Sequence, residues 1–237
     1  MGIDASDIYV VSIMPCTVKE YESYRAELSE HAMADVDAVL TTRELVRFFK
    51  IAGIDFNDLP ESEFDNPLGE STGAAAIFGT SGGVMEAALR TAYFKMTGTE
   101  LENVEFDEIR GMAGVKEATI KIGDLDVNIA VVNGIGNVDP ILDQVQNGTS
   151  KHHFIEVMAC PGGCINGGGQ PIQQKPKKVM KRIKVLYKID ENAKTRRSHD
   201  NESVKTLYKE FFGEPNLHKA HEILHTEYFD KKKMFKN

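Results

Sequence analysis

Hydrophobic and polar positions change their spacing several times along the 237 residues. Ile8 to Ile13 is apolar and extended in character, and it runs into Met14-Pro15-Cys16. Pro15 lacks a backbone donor and fixes φ, so a strand ends there and leaves Cys16 on a loop or helix start. Thr17 to Leu28 has helical character, and Asp37 to Leu40 reads as a second short strand. Thr41 with Glu44 has capping-box spacing and opens a helix to about Ile51. Pro60 to Thr72 is loop. Ala74 to Phe78 is small and apolar, Gly79-Thr80-Ser81-Gly82-Gly83 follows, and Val84 to Met96 is strongly helical. This reads either as a tight strand-to-helix connection or as a glycine turn offering N–H groups to an anion or cofactor.

Ala118 to Ile122 and Asp126 to Val132 predict a hairpin around Gly123-Asp124, the second run being almost continuously apolar, as in a buried strand. Asp139 to Gln146 predicts a helix. His153 to Met158 predicts a strand ending at Ala159-Cys160, and Lys175 to Tyr228 reads as mostly helical and charged. Strands alternating with helices imply an α/β architecture: a mostly parallel sheet lobe flanked by helices, with a helical C-terminal extension. No internal repeat or low-complexity linker interrupts it. One compact unit is expected, with the lobe over about 1–172 and the extension over about 173–237.

Composition changes this picture little, and charge changes it more. The hydrophobic share of 41% and charged share of 27% are ordinary for a soluble globular protein. No apolar run is long enough for a membrane span, and no secretory signal opens the chain, so a cytoplasmic location is expected. The net charge of −8 argues against nucleic acid as a partner. Yet residues 171–237 hold 17 Lys+Arg against 9 Asp+Glu. That basic third either docks on the acidic body, faces an acidic partner, or is a set of solvated helix faces.

The chemistry concentrates at three cysteines, Cys16, Cys160 and Cys164. An odd count does not make a disulfide framework. Cys160 and Cys164 lie in Glu156-Val-Met-Ala-Cys160-Pro-Gly-Gly-Cys164-Ile-Asn-Gly-Gly-Gly-Gln-Pro171. Iron–sulfur clusters need thiolates converging on a bulky anion with backbone close by, which glycine permits because it has no Cβ. A Cys-x3-Cys pair alone is a weak signal; in this loop at a strand end, with Met14-Pro15-Cys16 at another strand end, it is much stronger.

These stretches resemble iron-only (FeFe) hydrogenases, specifically the C-terminal part of their catalytic domain, over essentially the whole chain. The family's second cysteine motif is matched by Ile13-Met-Pro-Cys16-Thr-Val-Lys19-Glu-Tyr-Glu22, and its third by Glu156 to Pro171. Gly73 to Arg90 is also family-like, as are Arg197 to Asn201, Leu207-Tyr208, Phe212 to Pro215 and His221 to His225. The resemblance implies reversible oxidation of H2 to protons and electrons, by an anaerobic oxidoreductase that uses a ferredoxin-type carrier. It implies a 4Fe–4S cubane ligated by Cys16, Cys160 and Cys164, with Cys164 bridging to a two-iron subsite that carries CO, CN and a bridging dithiolate. By the same resemblance Lys19 holds a cyanide ligand, and Met14, Phe78 and Met158 wall the two-iron site.

The family's first cysteine motif, which supplies the fourth cubane ligand and a proton-relay thiol, has no match here. A split enzyme or a fragment of a longer gene is therefore expected, with a partner polypeptide bringing that half. The alternatives are a non-catalytic iron–sulfur protein of the assembly-factor type, or a hydrogen sensor. The cysteine-bearing segments are expected to end strands at one edge of the same sheet, with Lys19 buried beside them. An exposed apolar patch is expected at Met14, Phe78 and the glycine loops. Glu86 and Arg90 read as a simple helix ion pair. His218, His221 and His225 share one helical face at zinc-like spacing but are expected to be packing residues.

Overall fold

The computed structural model describes residues 2–30, 33–66, 68–171 and 175–228. The first elements are β1 (Val11–Met14), α1 (Val18–Ser23), β2 (Ser29–Glu30), β3 (Met33–Ala34), β4 (Ala38–Thr41), α2 (Thr42–Ala52), α3 (Gly73–Ile77) and α4 (Gly83–Thr97). They are followed by β5 (Val115–Ile122), β6 (Leu125–Asn133), α5 (Asp139–Gln146), β7 (Phe154–Met158), α6 (Pro176–Asn192), α7 (Glu202–Leu207) and α8 (His218–Leu224). A π-helical turn, Tyr208–Phe212, continues α7. The chain divides into two compact units. One comprises Met1–Glu61, Gly168–Pro171 and Val204–Asn237, the other Ser62–Gly167 and Ile172–Ser203.

In the first unit β1 pairs in parallel with β4, from Val11 opposite Ala38 to Met14 opposite Thr41. Thr41 ends β4 and caps α2. Its Oγ1 accepts from the Glu44 N–H, and Glu44 accepts from the Thr41 N–H at 2.8 Å, the capping box expected from the spacing. The glycine run returns here. The Gly169 N–H donates to the Pro15 carbonyl, the Arg43 N–H donates to the Gly169 carbonyl, and a Cβ on Gly169 would lie 2.8 Å from Thr41.

The second unit is built on the sheet β5–β6–β7. β5 and β6 form the expected antiparallel hairpin, and β7 adds in parallel on the other edge of β6. The apolar run of β6 is explained by burial on both faces. Ile129 and Val131 pack with Met85, Leu89, Phe106 and Ile109 on one side, Ala130 and Val132 with Ile141 on the other. A second core joins Ile77 of α3 and Ile165 to Val179, Ile183 and Tyr187 of α6.

The architecture is α/β with parallel pairing in both larger sheets, and two expectations need correcting. Ala74–Ile77 lies in helix, not strand, and Phe78 caps its C-terminus. Thr72 accepts from the Ala75 N–H and caps α3, and three alanines sustain it. The strands before Cys16 and Cys160 also belong to separate sheets, because β1 pairs with β4 while β7 pairs with β6, whose other edge β5 already holds.

Candidate metal centre

The Cys160–Cys164 turn follows β7 directly. All three cysteines are half-buried and outside any disulfide. The Gly163 N–H donates to the Cys160 carbonyl and the Gly167 N–H to the Cys164 carbonyl, each at 2.9 Å, closing two tight turns. Gly162 and Gly163 hold φ of +85° and +103°, a region closed to most side chains. A Cβ on Gly163 would lie 2.5 Å from the Gly79 carbonyl and 2.7 Å from the Thr80 Cα. The glycines therefore let the cysteine turn seat against the Gly79–Gly82 turn, secured by Ser81 N–H to Gly162 carbonyl and Ile165 N–H to Gly79 carbonyl.

The Gly79–Gly83 turn does not present its N–H groups to an external anion. Glu156, buried in the middle of β7, takes the Gly82 and Met85 N–H groups at 2.7 Å each and neutralises the start of α4 from within. Lys116 of β5 lies opposite Val131, which lies opposite Glu156, so the three share one rung of the sheet. The Lys116 ammonium donates to the Gly111 carbonyl at 3.1 Å and to the Ser81 carbonyl at 3.4 Å. Burial lowers its pKa to about 8, a shift only partly offset by the nearby Glu156 carboxylate. An unfolded chain keeps this proton to about 10.5, so between about 8 and 10.5 the unfolded state binds more protons and stability rises with pH. The rise is of order 3 kcal/mol at most. Urea titrations across that range should show it in the parent chain and lose it in Lys116→Met.

Met14, Cys16 and Lys19 belong to the first unit. Met14 and Lys19 line one cavity of about 220 Å³ with Ser12, Glu22, Asp35 and Val39. Lys19 is not the buried, unpaired ammonium expected from sequence. Its side chain is 40% exposed and pairs with Glu22 Oε1 at 2.6 Å, because the i, i+3 spacing on α1 puts the two together. Met158 closes β7, half-buried, and Phe78 ends α3 at 47% exposure. The expected apolar patch is met only at Phe78 and Gly168. Gly162 and Gly163 are buried and Met14 is half-buried, whereas Ile13, Val18, Val46, Phe48, Ile51 and Phe56 stand exposed.

Sequence reasoning missed the largest polar feature of the second unit. Arg90 is fully buried and uses all five N–H groups: on Asp190 twice, Glu86, the Val104 carbonyl and the Arg196 carbonyl. Arg110 holds Glu86 from the other side and stacks over Tyr187 at 4.0 Å. Arg196 also pairs with Asp190, at 2.6 Å. Burial alone would raise the Asp190 pKa, but the Arg90 and Arg196 hydrogen bonds hold it below the usual range. The Glu86–Arg90 spacing was a visible signal; its third member, 100 residues away, was not. The three C-terminal histidines do not converge. Among the described residues the one cluster with metal-ligand spacing is Glu100, His199 and Asp200, and His221 instead stacks on His225.

In this α/β protein a Cys-x3-Cys glycine turn follows one parallel strand and a third cysteine follows another. Residues 1–168 match the iron-only hydrogenase large subunit, C-terminal domain, and residues 176–231 match the iron hydrogenase small subunit. The chain belongs to the iron-only hydrogenase family. It is 48% identical over 235 residues to the NADP-reducing hydrogenase subunit HndD of Solidesulfovibrio fructosivorans, covering 99% of this chain and 40% of that protein. It is 31% identical over 245 residues to Protein NAR1 of Arabidopsis thaliana, covering 96% and 51%. Among solved structures, an apo variant of the FeFe-hydrogenase HydA1 from Chlamydomonas reinhardtii matches with a TM-score of 0.79 and 42% identity, over 96% of this chain and 64% of that one. The chain thus spans about two fifths of the length of its hydrogenase relative. No helix among the described residues is long and apolar enough to cross a membrane.

Proposed function

We propose that residues 1–237 are the cluster-binding C-terminal part of an FeFe-hydrogenase catalytic domain, acting in the reversible oxidation of H2 to protons and electrons. The observation that carries this reading is the Cys160–Cys164 turn: two thiols outside any disulfide, on a backbone whose glycines admit no Cβ. The donor set fits a thiolate-ligated cluster. When bound, a 4Fe–4S cubane joined to a two-iron subsite with CO, CN and a bridging dithiolate supplies the chemistry that cleaves and re-forms the H–H bond.

Cys16, Cys160 and Cys164 ligate the cubane, Cys164 in the bridging place. Lys19 holds the cyanide. To do so it gives up Glu22, an exposed pair worth at most about 1 kcal/mol, which a desolvated anion outcompetes. Met14, Met158 and Phe78 exclude water.

Three thiolates leave a four-cysteine site one short. The fourth ligand and a proton-relay cysteine come from polypeptide outside these residues, and a ferredoxin-like carrier exchanges the electrons. The exposed apolar side chains on β1, α1 and α2 support this, since a two-stranded parallel sheet needs cover on its faces. The second reading, an assembly factor, is favoured by the 28% identity over 234 residues to a protein of Xenopus tropicalis named cytosolic Fe-S cluster assembly factor narfl. Infrared spectra of the chain matured with the upstream half test between them. Bands of iron-bound CO and CN are expected; a spectrum with cluster absorbance but no such bands would favour the assembly factor.

A further inference from the structure

We propose that Asn133 is the positioning residue of the cysteine pair, fixing the direction in which the Cys160 and Cys164 thiols leave their turn; this rests on the reading that those thiols ligate iron. Asn133 is the last residue of β6 and is 3% exposed. Its backbone N–H donates to the Gly114 carbonyl at 2.7 Å, and its backbone carbonyl accepts from Asn137 Nδ2 at 2.8 Å. With the main chain held on both sides, the side chain has one direction to point. Oδ1 accepts from the Gly162 N–H at 2.6 Å, and Nδ2 donates to the Met112 carbonyl at 2.9 Å.

Gly162 stands midway between the cysteines. Its carbonyl is held by the Ser81 N–H, and its own N–H is held by Asn133. The anchors are themselves fixed. Glu156 holds Gly82 on the far side of Ser81, and the Met112 sulfur lies 2.9 Å from where a Gly162 Cβ would stand. The backbone at Gly162 is therefore clamped between a strand end and the start of α4. A backbone so clamped cannot rotate, and the two thiols it separates keep their mutual direction whether or not a metal holds them. Groups beyond the ligands act on metal sites in this way, orienting rather than ligating.

The test uses cobalt(II) as probe, bound to the 237-residue chain under reducing, oxygen-free conditions. Thiolate-to-cobalt charge-transfer absorbance reads affinity and geometry without any enzyme activity. Asn133→Gln keeps both polar groups but moves them by one methylene from the Gly162 N–H and the Met112 carbonyl. It should bind cobalt at least about tenfold more weakly, with an altered charge-transfer spectrum and unchanged circular dichroism. Asn133→Asp keeps an acceptor for Gly162 but turns a carboxylate oxygen toward the Met112 carbonyl, so it should also bind cobalt more weakly than the parent. Parent-like affinity and spectrum in Asn133→Gln would overturn the positioning role. If Cys164→Ser binds cobalt as well as the parent does, the ligand reading itself fails, and the proposal with it.

Discussion

Replacing Arg90 by Leu should cost the chain about 3–5 kcal/mol of folding stability, against a total that for most domains is about 5–15 kcal/mol. Burying a guanidinium is costly, and this one is tolerated because each of its five N–H groups has an acceptor. Leucine fills most of the volume but leaves the Val104 carbonyl and Asp190 Oδ1 without the donors that Arg90 supplied. Arg110 still serves Glu86, and Arg196 still serves Asp190, so collapse is incomplete. Urea denaturation measures the loss directly. Its pH dependence adds a second signature. Asp190 has a depressed folded pKa, so its stabilisation is present above the ordinary carboxylate value and lost as pH falls through the folded value. Without Arg90 that depression shrinks, and the acid limb should move to higher pH. A stability loss below about 1 kcal/mol would show that the network contributes no more than a surface pair does.

Much of this was legible from local sequence. Thr41 and Glu44 announce their capping box at a distance of three residues, and the hairpin around Gly123 and the helix from Asp139 to Gln146 are likewise short-range statements. The continuous apolar run in β6 correctly signals burial on both faces. The turn of Cys160 and Cys164 declares its glycines for the same reason: a positive φ excludes other residues.

What was not legible depends on long-range partners. Nothing near Glu156 says that its carboxylate caps α4, whose first N–H groups lie more than 70 positions earlier. Nothing near Arg90 reveals Asp190. Lys19 illustrates the reverse case: its partner Glu22 stands in the same motif, at the i, i+3 spacing that pairs charges on a helix. The short helix at Gly73–Ile77 was hidden because small apolar residues fit strand and helix alike; Thr72 was the overlooked signal.

The second large effect concerns the reaction itself. Cys164 is proposed to be at once a cubane ligand and the link to the two-iron subsite, so its thiolate is used twice. Serine keeps the size of the side chain but offers a hard oxygen in place of a soft sulfur. Cys164→Ser, matured with the upstream half, should retain little two-iron content and lose H2 turnover by at least about three orders of magnitude, the scale seen when a catalytic group is removed outright. Cys16→Ser and Cys160→Ser should also lose cluster iron, since each supplies one of the chain's three thiolates.

The most direct measurement is therefore hydrogen turnover by residues 1–237 co-produced with the upstream half and the maturation enzymes, compared with the Cys164→Ser variant and with the chain alone. Turnover is expected from the matured pair only, with the serine variant and the lone chain at background. Robust turnover by the lone chain, or by the pair carrying Cys164→Ser, would contradict the account.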